Sequence, residues 1–299
     1  MKILSSNEWD PLRSIIVGNA SYSNWPVNCP DFRRLEQQTL WHETPVPSGP
    51  VEQQIIDEAN EDLDELSNFL ITQGIEVHRP TDFNFQEADG YSTYCPRDRL
   101  LIIDEDVIDA PMAIVSRNME IECYKFLDTD YIKGQGIFDA ANICKLGDDL
   151  LYLMSNSGNV EGYKWLSDYY SDRKRVHAVN FYAGFHIDST IVPVREGLVC
   201  LNSSRVTESN MPAPLKSWDK IWVHDMVPQN FINYPHASNW IGMNFLAINP
   251  SSVVCDPKQE DLRRQFDKHG VDSHGVDLRH SRTLGGGHHC VTLDLHREK

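Results

Sequence analysis

Apolar residues recur at helical spacing over one long segment in the first third of the chain. Between Val51 and Gln73 they follow one another at steps of three and four residues, which predicts an amphipathic helix. Pro50 suits the first turn of this helix and Gly74 suits its C-terminal cap. Residues 75–80 then alternate between apolar and polar positions and end at a proline, which is typical of a short strand.

A second pattern repeats along the rest of the chain. Short apolar runs occur in pairs around polar turns and predict hairpins at 100–103 with 107–108, 143–146 with 150–154, 190–194 with 198–201, and 243–248 with 253–255. Predicted helices at 160–170 and from Asp256–Pro257 onward follow two of these pairs, and strands at 176–181 and 271–278 come next. The recurring order of hairpin, helix and strand predicts either an array of α/β units around a centre or an ordinary mixed α/β domain. Residues 21–49 are rich in Pro, Asn, Trp and Ser and are predicted to form a long ordered loop near an entrance.

Length and charge narrow the class of protein. The 299 residues suffice for one large domain or two ordinary ones, and the net charge of −17 argues against non-specific nucleic-acid binding, which needs a basic face. The seven cysteines are odd in number and lack CxxC spacing, which favours free thiols in a reducing compartment. No apolar run is long enough for a secretory signal or a membrane span, so the expected location is cytoplasmic, without a membrane partner.

The first candidate for chemistry is Cys290, which follows three glycines and two histidines. A thiol at the end of such a turn can face a cleft as a nucleophile, although a buried cysteine can also be inert core. His186 and Asp188 flank Ile187 and would share one face of a strand, either in solvent or in a site.

Two further acids have structural as well as functional interpretations. Asp139 lies among small residues and is either a turn residue or the acid that orients a histidine. Asp98 precedes a predicted strand and is either the partner of a neighbouring arginine or part of a site. Motifs for nucleotide binding, phosphate loops, zinc proteases and serine hydrolases are absent from the sequence. Zinc bound by residues 288–290 is disfavoured, because adjacent ligands rarely reach one tetrahedral centre.

A cysteine, a histidine and several aspartates suit chemistry on a guanidinium group. Carboxylates bind this planar cation through paired hydrogen bonds, a thiolate can attack its carbon, and a histidine can move the protons. The sequence resembles the amidinotransferases of the guanidine-modifying superfamily, which include glycine amidinotransferase and inosamine-phosphate amidinotransferase. The resemblance covers nearly the whole chain and is carried by residues 7–18, 96–98, 138–141, 186–190, 238–244 and 285–290.

The resemblance implies a fold, a reaction and a set of site residues. The family fold is a five-bladed, pseudo-symmetric α/β propeller, the pentein fold, built of ββαβ units, here as one domain over residues 1–299. The reaction moves the amidino group of L-arginine to an acceptor amine through a covalent cysteine intermediate and releases ornithine, with no metal or other cofactor. By position, the resemblance assigns the nucleophile to Cys290, the general acid/base to His186, the orienting acid to Asp139, guanidinium binding to Asp98 and Asp188, donor-carboxylate binding to Arg205, and the amino-acid end of the substrate to Ser238.

The chain departs from the family pattern at two motifs, and the stretch between Asp98 and Asp139 is also short. Position 142 is Asn where the family often has Asp, and residues 183–185 differ from the segment that precedes the histidine of glycine amidinotransferase. The acceptor therefore stays open between glycine, lysine and other amines, and a homodimer is left open. The alternatives are an arginine deiminase that gives citrulline and ammonia, a non-catalytic guanidine-binding scaffold and, more remotely, a metal-dependent enzyme.

Overall fold

The structure is a computed structural model that describes residues 1–39 and 45–298. The strands β1–β17 within these residues are Leu12–Val17, Asn24–Trp25, Gly49–Pro50, Glu76–His78, Leu100–Ile103, Asp106–Asp109, Tyr131–Lys133, Ile143–Leu146, Asp149–Leu153, Arg175–Val179, Ile191–Arg195, Leu198–Asn202, Asp219–Val223, Leu246–Asn249, Ser252–Cys255, Asp272–Gly275 and Thr292–Arg297. The helices α1–α7 are Pro30–Thr39, Gln53–Thr72, Phe85–Ala88, Pro96–Arg99, Val160–Tyr169, Glu260–Lys268 and Ser281–Leu284. Runs of 3₁₀ turns cover Val115–Leu127, Ala140–Asn142, Ile187–Ser189, Ala213–Leu215 and Asn239–Met243.

The described strands form five three-stranded sheets with the same pairing, and a two-stranded ribbon of β2 and β3. In each three-stranded sheet two strands pair antiparallel and a third strand is parallel to one of them. The strand orders are β5-β6-β7, β8-β9-β10, β11-β12-β13, β14-β15-β16 and β17-β1-β4. In the last sheet β17, late in the chain, pairs with β1 near its beginning. The predicted mixed α/β class is therefore confirmed.

The long predicted helix is α2, which runs from Gln53 to Thr72. Leu63, Leu66 and Leu70 are fully buried on its inner face, and burial of each such side chain contributes about 1.5–3 kcal/mol. Gly74 has φ +78°, the left-handed conformation with which helices often end. Pro50 lies in β3 opposite Asn24 instead of in the first turn of the helix.

Three local predictions are wrong in detail. The segment 21–49 contains β2, α1 and β3 as well as loop, and its residues 40–44 lie outside the described chain. Asp256 does not cap α6 directly, because its carboxylate accepts hydrogen bonds from the Lys258 amide and the Gln259 side chain in a turn before the helix. The residues 187–189 form a 3₁₀ turn, so strand alternation does not explain the placing of His186 and Asp188.

A short turn precedes the first strand of each three-stranded sheet. We call these the leading turns; they comprise α4 before β5, Ala140–Asn142 before β8, Ile187–Ser189 before β11, Asn239–Met243 before β14, and the turn at 288–291 before β17. The first four leading turns contact one another in chain order, Asn239–Met243 also contacts α7, and β17 contacts α4. The leading turns of successive sheets therefore lie next to one another. No helix in the described chain is long and apolar enough to cross a membrane.

Candidate active site

The leading turns surround a cavity of about 160 Å³. Its lining includes all seven residues that the resemblance singles out: Asp98, Asp139, His186, Asp188, Arg205, Ser238 and Cys290. Six of them lie in a leading turn or directly before one, and Arg205 follows β12. Five separate segments of the chain thus each deliver polar side chains to the same space.

The turn that carries Cys290 is held by the side chain of Asn244. The Asn244 Oδ1 accepts hydrogen bonds from the backbone amides of His289 and Cys290, both at 3.0 Å. A Cβ on Gly287 would lie 2.8 Å from the Asn244 Cβ, so this close approach requires glycine. Asn244 is fully buried and fixes the position of the cysteine backbone.

The Cys290 thiol faces a carboxylate. Its Sγ lies 3.2 Å from Asp188 Oδ2 and the residue is buried. Burial, together with the charge of Asp188, raises the pKa of the Cys290 thiol well above its ordinary value. The side chain is therefore a thiol at neutral pH, and a cation bound beside these carboxylates would favour the reactive thiolate.

The His186 ring lies between two carboxylates. Its Nε2 is 3.0 Å from Asp139 Oδ2, and its Nδ1 is 3.5 Å from Asp98 Oδ1. Burial opposes the charged ring, but Asp98 and Asp139 outweigh it and raise the pKa of His186 to about 9. Asp139 is itself fixed, because its Oδ1 accepts a hydrogen bond from the Ala113 amide at 3.1 Å. His186 is thus an imidazolium at neutral pH and can donate a proton.

Asp98 does pair with an arginine, though not with a neighbour in sequence. Arg117, in the 3₁₀ run Val115–Leu127, donates a hydrogen bond from Nη1 to Asp98 Oδ2 at 2.8 Å. Its Nε and Nη2 donate to the two carboxylate oxygens of Glu120. The Asp98 Oδ1 has no hydrogen bond to any described residue. Burial raises the pKa of Glu120 to about 7 even though Arg117 acts in the opposite direction.

Asp188 has a partner that the sequence analysis assigned no role. His289 Nδ1 lies 2.8 Å from Asp188 Oδ2, and its Nε2 lies 3.3 Å from Glu8 Oε2. Burial opposes ionisation of Asp188, but the hydrogen bond and charge of His289 lower the pKa of that carboxyl. Likewise, Lys145 and His289 lower the pKa of Glu8 to about 2 against the effect of its burial. The sequence feature that could have identified Glu8 and His289 as site residues is their position inside the segments that carry the family resemblance.

Arg205 and Ser238 lie on the remaining part of the wall. Arg205 places its guanidinium carbon 3.7 Å from the centre of the Tyr182 ring and donates from Nη1 to Thr190 Oγ1 at 2.8 Å. Burial lowers the pKa of Arg205 from its ordinary value, and the guanidinium remains a cation at neutral pH. Ser238 is half-buried and contributes to the same cavity lining.

The residues considered for zinc point to different partners. His288 Nε2 lies 2.8 Å from the carbonyl oxygen of Val276, whereas His289 faces Asp188 and Glu8. Within the described residues no group of three or more His, Cys, Asp or Glu side chains is placed to hold a metal ion. All seven cysteines are free.

Comparison with known proteins agrees with this geometry. No protein-family model matches the chain. An inosamine-phosphate amidinotransferase from Streptomyces glaucescens is 38% identical over an alignment of 332 residues, which covers 97% of this chain and 95% of that protein. The chain belongs to the amidinotransferase family. The resemblance inferred from the sequence is thereby confirmed.

Two further relatives extend the comparison of this amidinotransferase. The L-arginine:L-lysine amidinotransferase of Pseudomonas savastanoi pv. phaseolicola is 28% identical and is matched over 99% of this chain and 94% of its own length. The solved structure of inosamine-phosphate amidinotransferase from Streptomyces griseus superposes with a TM-score of 0.93 at 36% identity, covering 99% of this chain and 97% of the other. The two chains therefore share one fold along their whole length.

The two departures of this amidinotransferase from the family pattern contact each other. Asn142 Nδ2 lies within 3.2 Å of three acceptors, the carbonyl oxygens of Leu153 and Phe185 and the Ser155 hydroxyl. Phe185 lines the cavity, and its ring centre is 5.9 Å from that of His186. The amide of Asn142 therefore supports the backbone that delivers the histidine.

Asn142→Asp is expected to destabilise the protein by about 3 kcal/mol. The substitution replaces the donating amide by a fully buried carboxylate that faces two carbonyl oxygens, neither of which can donate to it. Chemical denaturation monitored by fluorescence measures the change in unfolding free energy. Asn249→Asp is the matched control, since the Asn249 Oδ1 only accepts hydrogen bonds from Ser251 and an aspartate retains them. Equal stability of the two variants would contradict the proposed support of the His186 backbone.

Proposed function

We propose that this enzyme transfers the amidino group of L-arginine to an acceptor amine through a covalent amidino-Cys290 intermediate and releases ornithine. The observation that carries the proposal is the convergence of one thiol, one imidazolium and three carboxylates on a single cavity. One relative is an L-arginine:L-lysine amidinotransferase, which supports L-arginine as the donor. The acceptor is left to experiment.

The guanidinium of arginine would occupy the space between Asp98 and Asp188. Asp98 Oδ1 lacks a hydrogen-bond partner among the described residues, and Asp188 Oδ2 lies beside the Cys290 thiol. A planar cation held by both carboxylates presents its carbon to Sγ. Its positive charge also offsets the carboxylate field that keeps the thiol protonated.

The bonds and protons balance over two half-reactions. In the first, the Cys290 thiol proton passes to solvent, the Sγ–C bond forms, the bond from carbon to the side-chain nitrogen of arginine breaks, and the imidazolium of His186 protonates that nitrogen as ornithine departs, which leaves His186 neutral. In the second, neutral His186 takes a proton from the acceptor amine, the nitrogen–carbon bond forms, and the Sγ–C bond breaks. The thiolate then takes a proton from solvent, and the original pair of thiol and imidazolium returns.

We also propose that residues 1–299 form one domain in which five ββαβ units surround the cavity as a propeller. The shared strand pairing of the five sheets and the successive contacts of the leading turns support this arrangement. A cavity at the centre of such an array would receive one polar segment from each unit, as the placing of the leading turns suggests.

Incubation with L-arginine alone is expected to add one amidino group to Cys290 and to release one ornithine per enzyme molecule. The reaction stops there, because the second half-reaction needs an acceptor amine. Intact-protein and peptide mass spectrometry measure the adduct, and amino-acid analysis measures ornithine. Substantial citrulline would instead indicate a deiminase, and the absence of both adduct and ornithine would indicate a non-catalytic binding protein.

An acceptor screen completes the test. Arginine labelled in the guanidinium carbon is supplied with glycine, lysine, amino alcohols, inosamine phosphates and other amines in turn. The label is expected to leave Cys290 and appear on the amine that is the true acceptor. Labelled urea or citrulline in place of a labelled guanidino product would reject the transferase proposal.

A further inference from the structure

A carboxylate and an imidazole that the proposed chemistry does not use also line the cavity. Glu36, on α1, is 4% exposed, and His236 is 8% exposed. His236 Nδ1 lies 3.2 Å from Glu36 Oε2, and the Tyr234 hydroxyl donates to the same oxygen at 3.3 Å. The pair belongs to the wall that carries Ser238, two residues after His236.

The His236 ring is held in place without hydrogen bonds. It stacks on Trp25 with 4.1 Å between ring centres and lies 5.9 Å from the Phe32 ring. Its Nδ1 faces the Glu36 carboxylate, whereas its buried Nε2 has no hydrogen bond to any residue in the described ranges. A buried polar atom without a hydrogen-bond partner destabilises the folded protein, so a fixed imidazole of this kind beside a cavity indicates a bound group that donates a hydrogen bond.

The charged side chains on the cavity wall fall into two groups. Asp188 lies beside the Cys290 thiol, and Asp98 and Asp139 flank the His186 ring, so these carboxylates suit a guanidinium. Outside this cluster the wall offers Arg205, a cation stacked on Tyr182, and Glu36, an anion beside His236. One cation and one carboxylate on the wall of the same small cavity match a zwitterion, such as the head group of an α-amino acid.

We propose that Glu36 and His236 bind the α-ammonium group of the arginine donor while Arg205 binds its carboxylate. This inference rests on the proposed function. The ammonium has three N–H donors, which the Glu36 carboxylate and the His236 Nε2 accept. The site is therefore selective for a free L-α-amino acid carrying a guanidinium, and it discriminates against guanidines that lack either charge of the head group.

Two arginine analogues test the two charges separately. 5-Guanidinopentanoate lacks the ammonium group, and agmatine lacks the carboxylate. Glu36→Gln is expected to lower kcat/KM for Cys290 amidination by arginine about 10- to 100-fold. Amidination by 5-guanidinopentanoate is expected to change less than about 2-fold, because this donor has no ammonium for Glu36 to bind. Stopped assays with mass spectrometry of Cys290 give both rates.

The reciprocal variant and a matched control complete the design. Arg205→Gln is expected to abolish the preference for arginine over agmatine while retaining the preference over 5-guanidinopentanoate. Glu58→Gln is the control, since Glu58 also pairs with a buried histidine, His280 at 2.7 Å, but does not line the cavity. We expect it to leave both preferences unchanged.

Two outcomes would overturn the inference. In the first, Glu36→Gln slows Cys290 amidination by arginine and by 5-guanidinopentanoate equally, as a general structural defect does. In the second, Glu36→Gln leaves the rate of amidination by arginine unchanged. Calorimetry can measure the binding of arginine, 5-guanidinopentanoate and agmatine to Cys290→Ala, with and without Glu36→Gln. This makes the same comparison in the absence of the covalent step. Failure of the wild-type enzyme to form any adduct would reject the proposed function, whereas the calorimetric comparison would still decide the role of Glu36.

Discussion

Replacing Cys290 with alanine is expected to reduce arginine-dependent ornithine release by about 10⁴-fold or more. In the proposed mechanism the thiol forms the covalent bond, and the remaining carboxylates and imidazole bind the guanidinium but cannot accept the amidino group. Ornithine release and the mass of the protein after incubation with arginine measure the loss. Binding of arginine should survive, because Asp98, Asp188 and Arg205 are unchanged.

A second cysteine in the same cavity provides the matched control. Cys95 also lines the cavity and is buried. Its sulfur packs so closely against Gly286 that a Cβ at this glycine would clash with it. Its sulfur has no carboxylate at hydrogen-bond distance among the described residues, unlike the Cys290 thiol beside Asp188. Cys95→Ala is expected to retain amidination at Cys290. Ornithine release by Cys290→Ala, or an adduct on Cys95 in the wild-type protein, would contradict the assignment of the nucleophile.

Asp139→Asn is expected to slow the donor half-reaction by about 10²- to 10⁴-fold and to alter its pH dependence. Asp139 Oδ2 fixes the His186 ring at Nε2, and its charge contributes to the raised pKa of about 9. In the proposed mechanism His186 must be protonated to release ornithine, so the wild-type rate should fall as the pH rises through about 9. Without the Asp139 charge the pKa of His186 falls, and the decline should move to lower pH.

The pH profile distinguishes this electrostatic role from a general loss of structure. Single-turnover amidination of Cys290, measured from pH 6 to 10, gives the position of the alkaline limb for the wild type and the variant. Asp104→Asn is a suitable control, since Asp104 pairs with Lys174 away from the cavity and should leave the limb in place. A slower Asp139→Asn reaction with an unchanged limb would contradict the proposed coupling between Asp139 and His186.

The raised pKa of His186 also makes the stability of the folded protein depend on pH. The pKa of His186 in the folded protein, about 9, exceeds its ordinary value of 6.5. The protonated ring therefore favours the folded state fully below about pH 6.5, and this contribution is lost as the pH rises through about 9.

The sequence by itself determined the elements whose signals are local. The apolar spacing of 51–73 predicted α2 to within two residues at its start and one at its end, and the paired apolar runs predicted the hairpins. Those patterns succeed because burial of one face imposes a period on nearby residues. The motifs around His186 and Cys290 likewise predicted the family, since they occur in a fixed order along the chain.

Only the tertiary structure decided which residues meet at the site. His289 lies against Glu8, which is 281 residues away in sequence, and Asp98 pairs with Arg117 instead of a neighbouring arginine. Glu36 reaches the cavity on α1, a helix inside a segment whose composition predicted only loop. Such contacts leave no periodic signal, because they arise from the packing of whole units. The sequence therefore determined the chemical groups and their order, and long-range packing determined their distances, partners and ionisation.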